Sequence, residues 1–287
     1  MAILIYTLLC LIWGSTWMAI KVGLEDSPPL WSAGLRFVIA GLMVLVISRF
    51  RSAKFPRSWK ELGKVAIPGI FMYGLSYMLV YRSEVYIDSA LTAVLFASFP
   101  FFVAGISHFM LREESLNLWG WVGLVIGFLG TAVVSYDSLL QSRFVFVGTL
   151  LVLLSAAASA YGTVYIRARL KQYDIAVMAS IQMILGALII VLTAFIFEPL
   201  NAFRITFKSV TALFYLAVFG TVVAFLGYYW LLKRLRAIIV SQIGFITPII
   251  ALILGYFFMS ERLSFRAGIG SLLILAGVFL VVRRGTE

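Results

Sequence analysis

The chain has 287 residues, 63% of them hydrophobic and only 12% charged, with a mean hydropathy of +1.06 and a formal charge of +11. A soluble domain carries about 45–50% apolar and about 25% charged residues, so an ordinary cytosolic enzyme is excluded. Ten membrane helices of about 20 residues each would use most of the chain, and the single cysteine, Cys10, excludes an internal disulfide or a cysteine-rich metal site.

Ten apolar runs succeed one another along the sequence. They span Ile3–Leu24, Leu30–Ser48, Leu62–Tyr81, Ser89–Leu111, Leu116–Tyr136, Phe146–Ile166, Ala176–Phe197, Val210–Leu232, Ile238–Met259 and Phe265–Val282. A barrel strand would alternate apolar and polar residues, and these runs do not. In lipid every backbone amide must be paired within its own segment, so the runs are predicted to be helices. The first run lacks a basic n-region and a small-x-small cleavage site, so it is read as a retained helix and not as a signal peptide.

Charge gives an orientation. Fifteen of the 23 Lys and Arg residues fall in one set of alternate loops and seven in the other, with Arg36 inside a span. The richer side is expected in the cytoplasm, with both termini. The Arg49 to Lys64 cluster suits anionic lipid heads, so the basic balance points to the bilayer and not to nucleic acid.

The chain also resembles itself. Trp13-Gly14-Ser15-Thr16 aligns with Tyr161-Gly162-Thr163-Val164, Lys21 with Arg169, and Phe99-Pro100 with Thr247-Pro248, all at an offset of 148. Beyond the proline the offset is 147, where Glu114 to Asn117 meets Glu261 to Ser264, Gly123 meets Gly270, and Gly130 meets Gly277. Residues 1–143 and 144–287 are thus predicted to be two five-helix repeats. Five is odd, so the second repeat enters the membrane from the opposite side, which is a route to alternating access.

These residues resemble paired EamA-type domains of the drug/metabolite transporter superfamily. The resemblance rests on Ile12-Trp13-Gly14-Ser15-Thr16 and on Ser89 to Leu95 leading to Pro100. It rests further on Gly220-Thr221, Tyr228, Pro248, Ser260-Glu261-Arg262-Leu263 and the glycines from Gly268 to Gly277. It implies ten helices in the plasma (inner) membrane, both termini inside. Helices one, three, four, six, eight and nine would surround a central cavity, with five and ten outside. It also implies export or exchange of amino acids, nucleobases, drugs or other small metabolites.

Polar groups inside spans are the usual markers of a transport path. Arg36 would bind an anionic substrate group or pair with Glu84, with a structural ion pair as the alternative. His108 would relay protons or satisfy a helix end. No Asp or Glu lies near the middle of any span, which disfavours a carrier whose proton and cation share a carboxylate. The candidate substrate contacts are aromatic and small polar: Trp13, Ser15, Thr16, Trp17, Tyr73, Tyr77, Tyr161, Tyr165, Tyr228, Gln242 and Thr247. Packing within the bundle is the competing reading of each. Pro100 and Pro248 each remove a backbone donor and are candidate hinges. Gly120, Gly123, Gly127 and Gly130 stripe helix five and permit close helix approach, within a monomer or in a dimer face.

No His-Glu-x-x-His, Gly-x-Ser-x-Gly or phosphate-binding loop is present, so neither an enzyme nor an ATP-driven pump is expected, and no metal or cofactor. A channel would display a polar filter or ring of charge. The expected function is secondary transport of small metabolites such as amino acids, aromatic ones included. A lipid flippase of the same architecture is the alternative.

Overall fold

The computed structural model describes residues 1–51, 53–111, 117–141, 143–260 and 265–284. These form ten helical rods: α1 Ala2–Leu24, α2 Pro29–Phe50, α3 Trp59–Ser83, α4 Ser89–Met110, α5 Leu118–Gln141, α6 Arg143–Arg169, α7 Ile175–Phe197, α8 Phe207–Leu232, α9 Ala237–Met259 and α10 Phe265–Arg284. No strand occurs among the described residues. Eight rods are long and apolar enough to cross a membrane, and α5 and α10 hold shorter apolar stretches, Leu118–Gly130 and Gly268–Gly277. The protein is an all-helical membrane protein. The Glu114–Leu116 and Glu261–Ser264 matches, with Arg112 and Arg262, lie outside the described residues.

Its surface is apolar where a soluble protein would be polar. Leu188, Leu192 and Phe195 on α7 and Ile3, Leu4 and Leu11 on α1 are exposed, while Gln182, Thr221 and Ser76 are buried. Lipid solvates the former, and the latter must find partners inside.

The main helix pairings are kept when the halves are exchanged. Helix α2 packs on α7, and α5 on α10. Helix α1 meets α9 and α8, while its counterpart α6 meets α4 and α3. The α5–α10 seam is built on glycine, because only a bare backbone allows the approach. A Cβ on Gly277 would lie 2.5 Å from the Gly123 oxygen and 2.6 Å from the Gly127 nitrogen. One on Gly130 would lie 2.6 Å from the Ile274 nitrogen. Gly123, Gly127 and Gly130 of the stripe foreseen in the fifth helix are thus used within the chain.

Two rods contain a widened, π-helical stretch: Gly69–Leu75 in α3 and Val218–Val223 in α8. Their last residues stand 148 apart, the offset of the sequence repeat. Helix α4 breaks between Phe96 and Phe99, just before Pro100. Helix α9 breaks at Gln242, while Pro248 sits inside the next helical piece. The two prolines are equivalent in sequence, but the breaks are not.

Carboxylates close the starts of the paired helices. Asp174 Oδ1 accepts from the Ala176 and Val177 amides at 2.8 and 3.2 Å and caps α7. Glu198, just past α7, reaches α2, where its Oε2 accepts from the Leu30 and Trp31 amides at 2.8 and 3.1 Å. Burial pushes the Glu198 carboxyl above its ordinary 4.5, against the pull of those two N–H bonds. A raised folded-state value means that stability is fully present below 4.5 and is lost as pH rises through the folded value. Wild type should therefore lose stability relative to Glu198→Gln as pH rises from 4 toward 7. Unfolding midpoints of both proteins in detergent at stepped pH check this, and a gap that moves the other way refutes it.

Candidate functional site

The site grows from the two widened turns. In α8 the Thr221 hydroxyl donates to the Leu216 carbonyl five residues back at 2.8 Å. The Gly220 carbonyl of the same stretch accepts from two side chains, Trp13 Nε1 at 3.2 Å and Arg36 Nη2 at 3.1 Å. A carbonyl has lone pairs for both. Gly220 is bare for a reason: a Cβ there would lie 2.9 Å from Thr16 and 3.1 Å from Arg36. Arg36 also donates from Nε to Thr221 Oγ1 at 2.7 Å and from Nη1 to the Tyr81 hydroxyl at 3.3 Å. Its guanidinium lies 4.9 Å from the centre of the Tyr77 ring.

The second half builds the same joint from other residues. Gln182 is the eighth residue of α7, as Arg36 is of α2. Its Oε1 accepts from the Tyr229 hydroxyl at 2.6 Å, and Tyr229 meets the Tyr73 hydroxyl at 2.8 Å. Gln182 Nε2 donates to the Val65 carbonyl at 2.9 Å. Tyr73 and Thr221 stand 148 apart, as do Tyr81 and Tyr229. Each joint therefore ties one paired helix to α3 and α8, through a residue of the other half's widened turn. One joint is charged and the other neutral.

Beside the charged joint lies a cavity of about 90 Å³. Helix α1 contributes Trp13, Thr16, Trp17 and Ile20, and α2 contributes Arg36. Met72, Ser76, Tyr77 and Val80 come from α3, Phe96 and Phe99 from α4, and Ser159 from α6. Phe225 and Tyr228 come from α8, and Val240, Ile243, Gly244 and Thr247 from α9. Four pairs in this wall stand 148 apart: Tyr77 and Phe225, Val80 and Tyr228, Phe96 and Gly244, Phe99 and Thr247.

The wall is aromatic. Trp13 packs on Phe225 and Tyr228 with ring centres 5.3 and 5.2 Å apart, and Tyr77 lies 6.3 Å from Phe225. Its hydroxyls are mostly engaged. Ser76 bonds Ser155 and Ser159, each at 2.7 Å, and Tyr228 bonds Thr163 at 3.0 Å. Arg36 is the one charged side chain among the described residues of this wall.

Of the residues singled out in the sequence, Trp13, Thr16, Trp17, Tyr77, Tyr228, Thr247 and Arg36 meet here. The others stand elsewhere. Ser15 bonds the Tyr215 hydroxyl at 2.5 Å, and Tyr73 belongs to the neutral joint. Tyr161 packs on Phe71 and on Tyr165, away from the cavity, and Gln242 sits at the break in α9. His108 lies edge-on to Phe109 and Trp121 near the end of α4. Pairing of Arg36 with Glu84 does not occur: the side-chain partners of Arg36 are those above, and the Glu84 carbonyl accepts from Lys21 Nζ at 2.7 Å. The sequence reading missed Phe225, Ser76, Ser159 and Phe96. The repeat offset applied to Tyr77 would have found Phe225.

The EamA-like transporter family matches this chain twice, over residues 1–136 and 146–283. An uncharacterized transporter, YoaV, of Bacillus subtilis is 32% identical over 94% of this chain and 92% of its own length. The uncharacterized inner membrane transporter YedA of Escherichia coli K12 is 29% identical over 89% of this chain and 82% of its own. One crystal structure shares the fold across 99% of this chain and 98% of its own, with a TM-score of 0.74 at 19% identity. The chain belongs to the EamA-like transporter family.

Proposed function

We propose that this protein is a secondary-active, alternating-access transporter that exports or exchanges small organic metabolites, amino acids and their aromatic members included. It spans the plasma (inner) membrane with ten helices as two inverted five-helix repeats, both termini cytoplasmic, and works as a monomer. The observation that carries the reading is the cavity wall, where repeat-related residues of both halves face one another. Two similar halves around one site can exchange conformations at little energetic cost, which is what alternating access requires.

Several observations support the details. The main helix pairings and the widened turns respect the exchange of halves. The family match falls into two separate segments. The basic loops favour cytoplasmic termini, and the glycine faces of α5 and α10 are consumed within the chain. At about 90 Å³ the cavity is smaller than the roughly 150 Å³ apolar cavity that accepts benzene. An aromatic solute would therefore need more room than this conformation offers.

The test is exchange in proteoliposomes. Vesicles are loaded with unlabelled amino acids, nucleobases or aromatic solutes, and uptake of the labelled compound is measured. At least one class should enter well above the rate in empty vesicles. If none does, the proposal loses its content.

A further inference from the structure

Arg36 is 1% exposed, yet it lines the cavity. A guanidinium has five N–H donors. Three go to Thr221, Gly220 and Tyr81, all neutral acceptors. The guanidinium also lies 4.9 Å from the centre of the Tyr77 ring, neutral as well. At least one N–H is left without an acceptor among the described residues. A second donor of the wall, the buried Trp17 indole N–H, also has none among the described residues. No Asp or Glu stands among the described residues of the wall. The described wall therefore holds more donors than acceptors and no carboxylate against Arg36, the buried Glu84 lying beyond Tyr81 and outside the wall. Buried donors left unpaired are costly, and a buried cation without a counter-anion more so.

The neutral joint shows that the architecture does not require this charge. Gln182 holds the same place in the second half, ties the same pair of helices and is fully buried, yet stays outside the cavity wall. A neutral amide does there what a guanidinium does here. The charge has a separate use, and it faces the space where a solute would sit.

We infer that Arg36 selects substrates that carry a carboxylate, the anion lying against the cavity side of its guanidinium and the apolar body against the rings of Trp13, Tyr77 and Phe225. A planar fork of donors matches a carboxylate in a way a point charge does not. A single cation suits a monoanion. No wall carboxylate receives an ammonium, so the carboxylate is the group that is read. This assignment rests on the transporter reading above.

A ring-matched series tests it: 3-phenylpropanoate, phenylalanine and 2-phenylethylamine, each titrated against the purified full-length protein with the unfolding midpoint as readout. The two carboxylates should raise the midpoint of wild type, and the amine should not at tenfold higher concentration. Arg36→Gln places in the first half the side chain that the second half already uses. It should weaken both carboxylates by about tenfold or more and abolish the discrimination against the amine. Equal binding of amine and acid by wild type overturns the inference. So does a folded R36Q protein that keeps the carboxylate preference, since Arg36 would then act only as a joint. If R36Q does not fold, the wild-type series still decides. If some panel compound is exchanged in proteoliposomes but no carboxylate of the series binds, this inference falls while the transporter reading stands. If nothing is exchanged and nothing binds, both fall.

Discussion

Gly277→Ala should destabilise the protein by about 3 kcal/mol, although alanine is the better helix former. The added Cβ would lie 2.5 Å from the Gly123 oxygen, 2.6 Å from the Gly127 nitrogen and 2.9 Å from its Cα. All three are backbone atoms, which no rotamer change can move aside, so α10 must lift off α5 along the whole seam. Gly268, on the same helix, is the internal control. A Cβ there meets nothing within 4 Å, so Gly268→Ala should be neutral or stabilise by up to about 1 kcal/mol. Unfolding midpoints of both variants in one detergent check the pair. Equal effects of like sign would mean that the seam is not closed on Gly277.

Trp13→Ala should have the largest effect on transport. Trp13 supplies two of the ring contacts in the cavity wall and donates its indole N–H to the Gly220 carbonyl. Truncating a packed tryptophan costs about 3–5 kcal/mol where it is fully buried, and less at a half-buried wall position. Loss of even about 2.7 kcal/mol of contact with an aromatic solute corresponds to roughly a hundredfold loss of affinity. Trp13→Phe keeps a ring but frees the Gly220 carbonyl of one donor, and should lose about tenfold or less. Concentration dependence of labelled-solute exchange in proteoliposomes separates the three proteins. A Trp13→Ala protein that folds and exchanges aromatic solutes with wild-type affinity removes Trp13 from the site.

The helical membrane architecture was legible because lipid imposes one rule along the whole chain. Runs such as Ile238–Met259 must be helices wherever they stand. The offset of 148 read from Trp13, Phe99 and their counterparts recurs in the cavity wall, in pairs such as Tyr77 and Phe225. The site was only partly legible. Trp13, Thr16 and Trp17 span a little over one turn of α1, and a run that short must turn at least one side chain inward. Tyr73 and Tyr77 look alike on a helical wheel. The widened turn at Gly69–Leu75 rotates the first part of α3 relative to the last, so Tyr77 borders the cavity and Tyr73 enters the neutral joint. No hydropathy pattern announces such a turn. Tyr161 and Tyr165 mimic that spacing on α6, where the cavity-facing residue is the small Ser159. Gln182 escaped notice because an amide in an apolar run reads as an exception, and its value lies in Tyr229 and Val65, distant in sequence.

The two joints also bear on why the halves are fused. A symmetric pair of identical five-helix units must carry the same residue at both joints, since one gene encodes both copies. It could present two cations to the central space or none. A single covalent chain escapes that constraint. Here Arg36 stands on one side and Gln182 on the other, around widened turns whose common register has been kept. In the proposed transporter this difference would let a polar solute be held in one orientation, its head toward the charged joint and its tail toward the neutral one.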